Sequence, residues 1–74
     1  MEQINNLYYT NMKGEIIDSI AFDITEEEAS RIMHQYIQDC LKFNSYYVRY
    51  WYDEKHNKYM DYGSWSHYFV WGQL

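Results

Sequence analysis

Hydrophobic and polar positions change period along this chain. Residues 6–10 (NLYYT) form a short β-prone run, and NMKG follows it as a turn in which Gly14 can take a positive φ without steric cost. Next comes EIIDSIAFDI. Ile16, Ile20, Phe22 and Ile24 share one face at period two, Asp18 interrupts that face, and Ile17, Ser19, Ala21 and Asp23 lie on the other. Residues 6–24 therefore predict a β-hairpin. The period then lengthens in TEEEASRIMHQYIQDCLKFN. Thr25 and Glu28 have the spacing of a capping box, and Glu26, Glu27 and Glu28 put negative charge where the helix dipole favours it. Ala29, Ile32, Met33, Tyr36, Ile37, Cys40 and Leu41 recur at three- and four-residue intervals as one apolar stripe, which predicts a helix over residues 26–43.

Alternation returns in SYYVRYWYDEKHNKYMDYGSWSHYFVWG. Tyr46, Val48, Tyr50 and Tyr52 alternate with Tyr47, Arg49 and Trp51; DEKHN makes a turn; Lys58 to Tyr62 runs back. Gly63 and Ser64 then permit a second turn or a bulge before a last strand that ends at Trp71. The expected fold is α+β, in the order ββαβββ: an antiparallel sheet of four to five strands, residues 46–71 supplying the aromatic-rich ones, with one helix across one face. On these later strands both alternating sets are apolar or aromatic. One helix covers one face, so the other is expected to meet water, a second copy or a partner. Tyr47, Arg49, Trp51, Trp65, Tyr68 and Trp71 are the residues placed on that contact face, with the Tyr and Trp rings as hot spots and Arg49 as an anchor.

Composition sharpens this picture. The chain has 74 residues with no repeat and no linker, which is one domain near the lower limit for a core-stabilised fold. A single cysteine allows no internal disulfide and suits a reducing compartment. No secretory leader and no membrane-spanning window are read at the start or elsewhere, so a soluble, cytoplasmic protein is expected. Aromatic residues make up 22% of the chain, ten of them tyrosine, and large rings let a short chain bury a useful area.

Net charge is −5, and its placement is uneven. Glu15, Asp18, Asp23, Glu26, Glu27 and Glu28 fall in residues 15–30 with no Lys beside them before Arg31, whereas Asp53, Glu54 and Asp61 are matched by Arg49, Lys55 and Lys58. The plain reading of the acids is helix-start chemistry and solvated strand positions. The sharper reading is a patch that imitates a phosphate array and occupies the basic groove of a nucleic-acid-handling protein. Direct nucleic-acid binding by an acidic domain is not expected.

Catalytic chemistry finds little purchase. His34, Cys40 and His67, with Asp39, can be assembled on paper into a nucleophile and base, but Cys40 sits on the apolar stripe as inert filling, His34 lies beside it, and His56 is in a charged turn. No pair of histidines has metal-ligand spacing and there is no glycine-rich phosphate loop, so neither metal nor cofactor is expected, and the chain is read as non-enzymatic.

The stretch MDYGSWSHYF, Met60 to Phe69, resembles the C-terminal strand-turn-strand of small proteins encoded by bacteriophages and other mobile elements of Gram-positive bacteria. A short, acidic, tyrosine-rich, cysteine-poor αβ chain is also similar in style to phage anti-defence inhibitors, including anti-CRISPR proteins. The resemblance implies a stoichiometric inhibitor of a bacterial protein or ribonucleoprotein and assigns no residue a role. The other reading is a self-associating module that forms a homodimer through its aromatic sheet face.

Overall fold

A computed structural model describes residues 3–42, 45–64 and 66–74. Five strands and one helix follow the order β1 (Ile4–Asn11), β2 (Ile16–Thr25), α1 (Glu26–Asp39), β3 (Arg49–Tyr52), β4 (Lys58–Asp61) and β5 (His67–Gly72). All neighbouring strands are antiparallel, in the spatial order β2-β1-β5-β4-β3, so the fold is α+β with the C-terminal strand near the centre.

Each local element has a visible cause. Gly14, with φ +82°, and the Asn11 side chain close the first hairpin, the Asn11 Oδ1 accepting the Lys13 and Glu15 N–H groups. At the helix start the Thr25 hydroxyl accepts the Glu28 N–H, and the Glu28 carboxylate accepts the Thr25 N–H in return. The helix stops at Asp39, four residues short of the predicted end. Leu41 N–H bonds the Tyr36 carbonyl, widening the last turn, and Lys42 adopts φ +62°, which a right-handed helix cannot continue. Cys40 consequently sits beyond the last helical residue and is exposed rather than part of the buried stripe.

Register sorts the side chains into two faces, because directly opposed residues point the same way. Leu7 pairs with Trp71, Tyr9 with Phe69, Phe69 with Met60, Met60 with Tyr50, and Lys58 with both Trp71 and Tyr52. This face lies under α1, whose Ala29, Met33 and Ile37 pack on Leu7, Tyr9, Phe69 and Met60 to form the core. The opposite face carries Tyr8, Val70, Tyr59 and Trp51 in one row, flanked by Thr10 with Tyr68 and by Arg49 with Asp61.

On β2 the simple alternation fails. Three register shifts give this strand extra residues relative to β1, one of them around Asp23, whose φ is +55°. Ile20 and Ile24 turn inward, while Ile16 and Phe22 are exposed. The bulges, not the residue types, decide which of the predicted face is buried.

Candidate partner-binding surface

A helix is about 10 Å across and strands lie about 4.8 Å apart, so one helix shields two to three strands. Here α1 lies over β2, β1 and β5. Strand β3, at the far edge, is left bare on both faces: Tyr50 is 62% exposed, Trp51 47% and Tyr52 50%, and Tyr47 just before the strand is 62% exposed. The sequence has this strand hide one alternate set beneath the helix; with the helix elsewhere, neither set is hidden. Tyr50 and Tyr52, not placed on the contact surface by alternation, therefore belong to it. Their only sequence signal is adjacency to Trp51 in an unbroken YWY run.

The rings are held rather than loose. On the open face Trp51 stacks on Tyr59 with centroids 5.7 Å apart and planes 12° from parallel, and Tyr68 closes a triangle at 5.7 Å from Tyr59 and 6.4 Å from Trp51. This triangle roofs the open face, and beside it Val70 and Tyr8 are buried. On the helix face Tyr50 and Tyr52 meet edge to face, and the Lys58 ammonium stands 4.7 Å from the Tyr50 centroid.

Two charge contacts fix this end of the sheet. Lys58 Nζ lies 2.8 Å from Glu26 Oε2, and the Tyr52 hydroxyl donates to the same oxygen at 2.6 Å, tying the β3–β4 hairpin to the helix start. The lysine first, and then the tyrosine hydroxyl, hold the Glu26 carboxyl below the usual range, while the Tyr52 phenol is pushed up to about 12 by its bond to Glu26. Arg49 donates to Asp61 at 2.7 Å; the arginine is largely in solvent, the aspartate largely covered. Its guanidinium also sits 5.7 Å from the Tyr47 ring. An adjoining cavity of about 520 Å³ is lined by Tyr46, Tyr47, Tyr62 and Gly63 together with serines.

The β3–β4 turn is organised by Asp53. Its Oδ1 accepts the Lys55 and Asn57 N–H groups, and its Oδ2 accepts the Asn57 side-chain amide and the Tyr59 hydroxyl. Partial desolvation pushes this carboxyl up, but the donors, led by the Asn57 N–H, outweigh it and leave it below the ordinary value. Asp53 is thus a fixed negative charge at the end of β3.

The remaining sequence candidates fall in different places. Trp71 is not on the contact surface: it is 4% exposed, packs in the core, and donates its indole N–H to the Ile24 carbonyl. Its position on the helix-covered face follows from its pairing with Leu7. Trp65 lies outside the described residues. Of the acids, Glu15 lies in the first hairpin turn and Glu26, Glu27 and Glu28 at the opposite end of β2, separated by a ten-residue strand that spans roughly 30 Å. Asp18 accepts the Tyr36 hydroxyl, Asp23 lies at a bulge, Glu26 is paired with Lys58, and Glu28 closes the cap. Their charges are distributed along an edge rather than gathered in one array.

His34 Nδ1 is 2.6 Å from the Tyr46 hydroxyl, and His67 Nδ1 is 2.7 Å from Ser66 Oγ with its ring stacked on Tyr9. Cys40 is not bonded to either in the described contacts. Among the described residues no helix is long and apolar enough to cross a membrane, and no group of three or more His, Cys, Asp or Glu could hold a metal ion. No family model, curated protein or solved structure matches this chain.

Proposed function

We propose that this chain is a small non-catalytic binding protein that docks a protein partner on the ring-bearing end of its sheet. The supporting observation is the bare β3 edge, where Tyr47, Tyr50, Trp51 and Tyr52 expose about half of each ring beside Arg49. Tyr, Trp and Arg are the residues that dominate binding energies when a partner covers them. Trp51 is pre-positioned by stacking on Tyr59, and Tyr52 by its bond to Glu26 and its edge-to-face contact with Tyr50, so these rings lose little side-chain entropy on docking. The resemblance of Met60 to Phe69 to phage-encoded proteins narrows the partner to a bacterial defence or nucleic-acid-handling protein or ribonucleoprotein, with blockade of that partner as the outcome. That narrowing rests on the resemblance alone.

A comparative capture experiment tests the reading. Wild-type protein and a Tyr47→Ser/Trp51→Ser variant are immobilised and exposed to bacterial lysate. Bacterial proteins retained by the wild type should be lost from the variant, while charge reversal at Glu15, remote from β3, should leave capture intact. Equal capture by wild type and the double variant would sink the proposal.

A further inference from the structure

The two edges of the sheet are built differently. Strand β2 carries three bulge-type register shifts and the charges Asp18 and Asp23, the devices by which natural edges refuse another strand. Strand β3 pairs regularly with β4 over all four of its residues, with no shift, no proline and no lysine. Its outward hydrogen-bonding groups can be assigned. Asp53 N–H bonds the Asn57 carbonyl, so by antiparallel alternation Trp51 and Arg49 also turn their backbone groups toward β4. Tyr50 and Tyr52 then present theirs to the outside.

We infer that a second copy of this chain occupies this edge, β3 pairing antiparallel with β3 about a two-fold axis at Trp51. The inference rests on β3 being the contact surface and adds what sits on its backbone.

The register follows from the residues. A two-fold axis perpendicular to the sheet keeps each face on its own side, so a residue must oppose one of its own alternate set. Centring on Trp51 sets Tyr50 against the partner copy's Tyr52 and the reverse, which joins the outward N–H and C=O groups of both copies. The same register brings Arg49 opposite Asp53 on each side of the axis. Four internal donors hold the Asp53 carboxylate at the strand end, and Arg49, two-thirds exposed and bonded to Asp61 of its own copy through one nitrogen, keeps further guanidinium N–H groups for it. At the axis the two Trp51 rings meet on the open face, adding to the Trp51–Tyr59–Tyr68 triangle of each copy. Charge around this edge is balanced, with Arg49, Lys55 and Lys58 against Asp53, Glu54 and Asp61, whereas β2 is acidic without compensation. Self-association through β3 therefore avoids the repulsion expected from a net charge of −5.

Size sets the expected strength. About half of each of four rings, with roughly 200 Å² per ring, gives on the order of 800 Å² for two copies before the backbone is counted. That is the small end of specific interfaces, so the dimer is expected to be weak and concentration-dependent.

Sedimentation equilibrium of the full chain from low micromolar to millimolar protein should show a monomer–dimer equilibrium. Tyr50→Pro removes an outward donor without touching the β4 ladder and should abolish the dimer while the amide spectrum of β1, β2 and α1 is retained. Trp51→Lys, at a half-exposed site, sets two cations at the axis and should also give a monomer, which covers a failure of the proline variant to fold. Register is read by single cysteines in a Cys40→Ser background. A non-hydrogen-bonded antiparallel pair has Cα atoms about 4.5 Å apart, within disulfide reach, so Trp51→Cys should form an intermolecular disulfide under mild oxidation. Tyr50→Cys or Tyr52→Cys alone should not, because each faces a tyrosine. A wild type that stays monomeric at millimolar concentration overturns the inference and leaves the capture result standing. A dimer cross-linked more readily from Ser19→Cys on β2 than from Trp51→Cys overturns it too.

Discussion

Removing either partner of the Lys58–Glu26 contact should give unequal losses, and the inequality can be worked out from their surroundings. The pair is 2.8 Å apart, with the lysine side chain 13% exposed and the glutamate 44%. At that separation the bare attraction runs from about 1.5 to about 6 kcal/mol as the effective dielectric falls from 80 to 20. Water reaching Glu26 and the ordering of both side chains reduce this to about 1 kcal/mol, the upper end of measured exposed pairs. Lys58→Met strands a carboxylate that is half in water, still accepts the Tyr52 hydroxyl and still faces the positive end of α1. The cost should be about 0.5–1 kcal/mol. Glu26→Gln strands an ammonium that is mostly covered by protein and also forfeits the dipole contribution, so its cost should be about 2 kcal/mol.

Urea unfolding followed by tryptophan fluorescence measures both changes. In a domain of this size a difference of about 1 kcal/mol also separates the midpoints of thermal unfolding by about 4–8 °C. Acid supplies a second arm. Glu26 has a depressed pKa in the fold, so its contribution is in place above the unfolded carboxyl value of about 4.3 and disappears as pH falls through the lower folded value. The gap between wild type and Lys58→Met should therefore close in strong acid. A Lys58→Met variant as damaging as Glu26→Gln, or a gap that persists when Glu26 is protonated, would refute the reasoning.

Two further outcomes follow from particular contacts. A Cβ added at Gly72 would come within 2.8 Å of Asn57 Cβ and 2.5 Å of Asn57 Cγ, so Gly72→Ala should cost about 2–3 kcal/mol by overpacking; in an Asn57→Gly background the same change should cost little, and an undiminished cost there would mean that the clash lies elsewhere. The Tyr36 phenol is pushed up to about 12, first by burial and then by its bond to Asp18; the resulting stability is complete below the ordinary value of about 10 and is lost as pH rises through the folded one. In an ultraviolet titration, Asp18→Asn should lower the Tyr36 value without returning it to the ordinary one, because burial remains. A tyrosine titration unaltered by that substitution would show the bond to be immaterial.

Much of the architecture was legible along the chain because it depends on neighbours in sequence. The Thr25–Glu28 box, the Ala29–Met33–Ile37 stripe and the Gly14 turn each need only a few consecutive residues, and each stands where the pattern put it. Boundaries were less legible. The apolar stripe continues through Leu41, yet the helix ends at Asp39, because Lys42 turns left-handed and Leu41 packs against the sheet from outside the helix. On β2 the bulges undid a two-residue period that looked regular in the letters.

Residue type alone thus told that one helix would cross an antiparallel sheet too rich in rings for it to cover. Which rings remained uncovered was a matter of strand order. Trp71 and Trp51 are alike in sequence terms, both tryptophans in alternating aromatic strands. Strand β5 inserts beside β1 beneath the helix, and Trp71 becomes core; β3 is driven to the far edge, and Trp51 faces water. That difference arises from pairings between residues more than fifty positions apart, such as Leu7 with Trp71, and no local pattern encodes it. A helix about two strands wide could lie over only part of the sheet, and long-range pairing chose the part.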